Sequence, residues 1–278
     1  MDGPRPSAAR TIADRARRPI QNFSEIQAAF AGGKGDYHAL QVKVERRYTR
    51  GLYLLNSFTW SRARDNASGH LETQNGDNSR VNYANIDGDY GVSGYDQPFN
   101  NTTSFVWELP FGHGRKFGSG IGAIADGFLG GWRLVGINTM TSGVPVNLSY
   151  TPTGPFSVGG QFTYRPNLTG DPETEDGGPT NYLSTTNVQL PTDRSQPFGN
   201  APRNAARGPG FAQFDLGLHK ALGLGRDNTR LELRLEAFNL FNRSNFSTPN
   251  ANRSNTNYGT ITSTFAARQI QVGVKVHF

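Results

Sequence analysis

Four groupings in this sequence hold residue types that chemistry uses. Asp87-Gly88-Asp89 offers two carboxylates one residue apart, the hard oxygen donors that a calcium ion takes. No full run of ligands follows, and a solvated loop is the preferred reading. Gly118-Ser119-Gly120-Ile121-Gly122-Ala123 fits the Gly-x-Gly-x-x-Ala pattern of dinucleotide sites. That pattern cradles a pyrophosphate only inside a parallel β-α-β unit, with a helix opening directly after it. Such a context is not legible here, so a turn is expected. The five histidines, His38, His70, His113, His219 and His277, share no metal-binding spacing and read mostly as polar-face or loop residues. Serine, histidine and aspartate all occur, but no Gly-x-Ser-x-Gly elbow presents a nucleophile. No catalytic, metal or cofactor site is expected, and the chain is not read as an enzyme.

Composition narrows the classes further. The net charge of +6 would permit nucleic-acid binding. The Lys and Arg residues are spread out and mostly alternate with apolar ones, so no basic patch forms and nucleic acid is not an expected partner. Cysteine is absent, which excludes disulfides and cysteine-based metal sites. Mean hydropathy is −0.57. No apolar run approaches the roughly 18 residues of a membrane helix. A transmembrane β-barrel needs none, because only alternate strand residues face lipid. Met1 to Ile20 holds five arginines without the apolar stretch of a signal peptide.

The elements that must carry any site are strands. Arg268 to Phe278 puts Ile270, Val272, Val274, Val276 and Phe278 on one face, and Gln269, Gln271, Gly273, Lys275 and His277 on the other. Successive strand side chains point to opposite faces, so this strand is apolar on one side only. It reaches the last residue and stops on an aromatic. A soluble domain's terminus is ordinarily frayed and polar. A barrel ends in a strand because its sheet must close. These five apolar residues are the candidate assembly signal.

The same alternation recurs upstream. Leu40, Val42 and Val44 alternate with polar residues up to Tyr48, and Leu52, Leu54, Phe58 and Trp60 do so after Arg50-Gly51, a connection short enough for a tight hairpin. Thr103, Phe105, Trp107 and Leu109 mark a third strand. A fourth runs from Trp132 to Ser142, with an extension over Val144 to Tyr150. Phe214, Leu216 and Leu218 mark a fifth. Leu231, Leu233 and Leu235 mark a sixth, interleaved with Arg230, Glu232, Arg234 and Glu236. Charge on a lipid-facing position costs about 2–4 kcal/mol at the midplane, so the leucines are expected to face out and the charges in. Trp60, Trp107, Trp132, Tyr48 and Phe278 lie near strand ends, where barrels carry aromatic girdles.

Connection lengths supply a topology. Residues 49–51, 110–130 and 221–229 make the shorter links; 62–96, 151–210 and 240–257 make long polar ones. A short apolar turn is expected at Ile121 to Leu129. Long and short alternate, as extracellular loops and periplasmic turns do. The fold expected is all-β: part of an antiparallel transmembrane β-barrel with long extracellular loops and short periplasmic turns. Phe278 then lies at the periplasmic end, where assembly machinery would read it. Residues 1–36 become an extracellular loop or cut end, and 37–278 the C-terminal part of the barrel. An odd count of seven strands implies that upstream strands are missing.

The order of short motifs resembles the TonB-dependent receptors, and more closely the Oar-like group with a carboxypeptidase-regulatory-like N-terminal domain. These motifs are Asn22-Phe23, Asp36-Tyr37-His38-Ala39-Leu40, Arg50-Gly51-Leu52, Ser57-Phe58-Thr59-Trp60-Ser61, Trp107-Glu108-Leu109-Pro110-Phe111-Gly112, Gly131-Trp132-Arg133-Leu134, Ser142-Gly143-Val144-Pro145, Arg203-Asn204, Gly208-Pro209-Gly210 and Glu236-Ala237-Phe238-Asn239-Leu240-Phe241-Asn242. The resemblance covers nearly all of residues 20–278. Asp96-Gln97-Pro98-Phe99-Asn100 departs from it and reads as local degeneration of a strand start. The resemblance implies a cell outer-membrane location and a parent with a plug and a barrel of about 22 strands. It also implies that this portion cannot transport alone. The implied partners are outer-membrane lipid, the barrel assembly machinery, and the upstream barrel and plug. The competing reading is a soluble or surface-attached β-domain that binds ligands through its long loops.

Overall fold

The structure is a computed structural model that describes residues 31–68, 85–153, 163–175, 177–193, 196–223 and 229–278. In chain order its elements are β1 (Gly35–Thr49), β2 (Leu52–Asp65), β3 (Gly91–Val92), β4 (Phe99–Glu108), α1 (Ala123–Leu129), β5 (Trp132–Thr141), β6 (Pro145–Val146), β7 (Asn167–Leu168), β8 (Val188–Gln189), β9 (Ala206–Arg207), β10 (Phe211–Gly223), β11 (Arg230–Phe238) and β12 (Gln269–His277). Seven long strands form one antiparallel sheet in the order β1-β2-β4-β5-β10-β11-β12. Each neighbour in sequence is a neighbour in space, so the sheet is an up-and-down meander. The long strands run 9 to 15 residues, beyond the five or six of an ordinary strand.

The expected alternation of connections is observed. Arg50 and Gly51 alone join β1 to β2, both with positive φ, 54° and 79°. That pair of angles suits the primed hairpin turn whose twist matches its strands. Three differences from the sequence reading appear. The strand expected to continue over 144–150 stops at Thr141; β6 pairs instead with β9 in a separate two-stranded sheet. The apolar turn at 121–129 is a seven-residue helix. The first strand begins at Gly35 rather than 37. Residues 1–30 lie outside the described part.

Register sorts the side chains by parity. One row across the sheet reads Leu52, Trp107, Leu134, Leu218, Leu235 and Val272. The adjacent row on the opposite face reads Glu108, Arg133, His219, Arg234 and Gly273. One face is thus apolar and the other polar, each continuous over the strands. On the apolar face Gly136 lies between Phe105 and Leu216, and the Phe105 ring occupies the space a Cβ at Gly136 would need. That ring stacks on Phe214, and Phe214 stacks on Phe241.

The buried core is not in the sheet. Val146, Leu148, Leu183, Val188, Ala206 and Tyr258 form it, with Leu168, Tyr182, Ala205 and Ala251 packed around. All belong to the long connections 142–210 and 239–268. The apolar side chains of the large sheet are not buried to that degree: Leu52, Leu134 and Leu218 are half-buried, and Leu40, Val44, Leu235, Ile270, Val272 and Val274 are exposed.

Candidate functional site

The apolar face is the first functional surface. A contiguous apolar field of this extent on a protein signals a partner phase or molecule. Ile270, Val272, Val274 and Val276, the candidate assembly residues, stand together on this face along β12, and Phe278 is fully exposed beyond it. They lie on an edge strand, since among the described residues β12 pairs with β11 alone. Tyr48, Trp107 and Trp132 gather at the short-turn end of the face, while Trp60 lies toward the long-loop end. The three at the short-turn end form the clustered aromatic rim expected of a girdle, and the long-loop end has Trp60 of this set. Asn56 interrupts the field, but its amide donates to Asn101 Oδ1 at 2.8 Å and to Thr103 Oγ1 at 2.7 Å. Polar groups satisfied by one another are tolerated in an apolar setting. A cleft of about 400 Å³ opens beside Asn138, Met140, Phe214 and Phe241.

The inward face carries an ionic network at the short-turn end. Glu232 receives Arg133 at 3.1 Å, Arg234 at 3.2 Å and His277 at 3.3 Å. His219 bridges Glu232 and Glu236, at 3.5 and 3.1 Å. Strands β5, β10, β11 and β12 each contribute. The alternating charges of β11 lie on the face opposite its leucines, and His219 and His277 are polar-face residues.

The third surface is the lobe built by the long connections. Three arginines of the 142–210 connection meet three aspartates of the β2–β4 region. Arg165 binds Asp89 at 2.7 Å; Arg203 binds Asp65; Arg207 binds Asp96. Asp89 and Asp96 are buried, as is Arg203. Burial pulls the Arg203 guanidinium down to about 10, and it stays charged at neutral pH. Burial pushes the phenols of Tyr182 and Tyr258 up to about 12, Glu173 adding to the first. Asp96 thus has a role: its carboxylate holds Arg207 and accepts the Ala63 amide at 2.7 Å, while Pro98 accepts from the Ser61 amide. The segment that read as degenerate is a structural joint.

Several resemblance motifs coincide with special backbone. Asn204, Asn239 and Asn242 hold positive φ near 52°, which asparagine tolerates better than most residues. The Asn239 side chain then bonds Arg243 and Ala266 of the loop. Gly143 of Ser142-Gly143-Val144-Pro145 lies against the backbone of Gly208 so closely that a Cβ has no room.

The opening candidates resolve differently. Asp87 pairs with Lys34 and Asp89 with Arg165. Among the described residues, no three His, Cys, Asp or Glu side chains form a metal-holding group. A helix does follow Gly118–Ala123, contrary to expectation, but it links antiparallel strands β4 and β5, so no parallel unit exists. His38 lies 3.7 Å from Asp36, and His113 lies in the β4–β5 connection. His70 lies outside the described residues. The arginine–aspartate clamps have no signature in the spacing of the sequence, although Asp89, Asp96 and Arg203 each belong to a motif quoted above.

A sheet apolar on the face its own core never covers, charged on the other, and joined by long links at one end and shorter ones at the other, is that of a membrane-spanning β-barrel. Residues 2–271 match the family described as outer membrane beta barrel domain. The chain belongs to that family. No curated protein matches it. The long-loop lobe is therefore extracellular and the short-turn end is periplasmic.

Proposed function

We propose that this chain is the C-terminal barrel segment of a TonB-dependent outer-membrane receptor of the Oar-like kind, and that it does not transport alone. The observation that carries this reading is the open seven-strand meander. Among the described residues every neighbouring pair is antiparallel, so with an odd number of long strands β1 and β12 run the same way. Sealing them together would need a parallel pair. Bacterial barrels close with an even number of antiparallel strands, and further strands between the two edges meet that requirement. The largest such barrels hold a plug in the lumen, and the charged inward face suits contact with one. The motif order supports the receptor assignment, because its asparagines and glycines occupy positions where few other residues fit.

In this reading the partners are membrane lipid, the assembly machinery that reads Ile270 to Phe278, and the upstream barrel and plug. No catalysis and no nucleic-acid contact are involved. Reading the genomic frame upstream of the Met1 codon tests it. A continuous frame encoding further strands and a plug is expected; a clean stop with its own ribosome-binding site would overturn the receptor assignment. The competing soluble β-domain is tested by extraction. A chain that stays in solution without detergent and unfolds as a cooperative monomer would favour that alternative.

A further inference from the structure

The connection between β4 and β5 is longer than a periplasmic turn needs, and its helix has an unpaired apolar side. Asp126 Oδ1 accepts the His113 amide at 2.5 Å, which pins one side of α1 to the turn at 112–113. Ile124 and Phe128, two residues either side of Asp126, project from the opposite side, since residues four apart share a helix face. Both are highly exposed, as is Leu129. The Phe111 and Phe117 rings lie 5.6 Å apart in a tilted pair nearby, also exposed, with Lys116 over the Phe117 ring.

The end of this helix is tied to the lipid-facing side of the sheet. The Trp132 indole donates to the Phe128 carbonyl at 2.8 Å. The Lys220 ammonium donates to the Gly130 carbonyl and lies over the Trp132 ring at 5.0 Å. Trp132 and Lys220 are register partners on the parity that carries Leu134 and Leu218. A cation at helix C-terminal carbonyls is favourable. The apolar side of α1 is therefore continuous with the lipid-contacting face, at its periplasmic rim.

We propose that the β4–β5 connection is a membrane-interface anchor: Ile124, Phe128 and Leu129 insert among the phospholipid headgroups of the periplasmic leaflet, with Lys116 set against their phosphates. Apolar and aromatic residues with flanking lysines are the chemistry of helices that lie in an interface. The inference rests on the barrel fold and is independent of the receptor assignment.

The absence of cysteine allows a clean test. Single variants Ile124→Cys and Phe128→Cys of the full chain, labelled with an environment-sensitive fluorophore, are inserted in vesicles of phosphatidylethanolamine and phosphatidylglycerol. Val272→Cys, on the exposed apolar edge, selects inserted preparations; Asn255→Cys, exposed in the extracellular lobe, reports water. The expected result is that lipids carrying a nitroxide just below the headgroup remove roughly half the emission at both helix positions, while aqueous iodide acts chiefly at Asn255. Iodide quenching at Ile124 and Phe128 equal to that at Asn255 would overturn the anchor. Protection from both quenchers would also overturn it, because it would mean that protein covers the helix.

Discussion

Substituting arginine at Val272 and at its neighbour Gln271 separates membrane from water on one strand. Val272 is 78% exposed, so almost nothing in the protein touches its side chain. Were that face in water, Val272→Arg would stay within about 0.5 kcal/mol, as exposed substitutions do. In hydrocarbon an arginine near the midplane costs about 2–4 kcal/mol. At roughly 1.4 kcal/mol per decade, the folded-to-unfolded ratio then falls about 30- to 1,000-fold. Gln271 faces inward and its amide donates to Glu236. An arginine there keeps a carboxylate partner, and its effect stays within about 0.5 kcal/mol. Guanidinium unfolding of the membrane-inserted chain, followed by protease resistance of the sheet, measures both. Equal midpoints for the two variants would refute the facing of the whole sheet, because register makes every strand's orientation follow from any one.

Further outcomes follow from the loop lobe. Asp96→Leu leaves Arg207 without its carboxylate and should cost about 3–5 kcal/mol, while the double change Asp96→Leu with Arg207→Met should cost much less; amide exchange over residues 142–210 distinguishes them. Gly143→Ala has no space for its methyl against Gly208 and should open the β5–β10 connection, read as faster proteolysis at the cell surface with the sheet intact. Raising the pH from about 10 to about 12 should loosen the lobe. Tyr182 and Tyr258, both held up at about 12 in the folded chain, ionise first in the unfolded one, so stability falls across that window. Arg203, held down at about 10, opposes this over the same window, and the two phenols outweigh it. Phenolate absorbance against lobe amide exchange checks the sign.

The strands were legible because a period of two survives along each of them, and because polarity and parity agree. The alternation of loop lengths was legible for the same reason, as the gaps between clear strands. The lobe was not. Leu183, Val188 and Tyr258 sit in polar stretches with no period to betray a shared core, and the period of two around Leu148 reads as a strand of the sheet instead. Its clamps join residues 76 to 138 positions apart, and only folding brings them together. Helix α1 has seven residues, under two turns, too few for a 3.6-residue period to show against its glycines. The strand expected over 144–150 failed because Gly143 and Pro145 turn the chain out of the sheet, and Leu148 then packs in the lobe.

Phe105 and Gly136 amount to one unit of volume divided between two strands. The ring fills the place where the glycine has no side chain, and it also begins the stack through Phe214 to Phe241. Neither position can drift alone. A larger residue at 136 evicts the ring, and a smaller one at 105 leaves a notch in the membrane-facing wall. Across a set of relatives the two sites should therefore change together, an aromatic with a glycine or two mid-sized aliphatics. That co-variation would give the β4–β5 register from sequences alone.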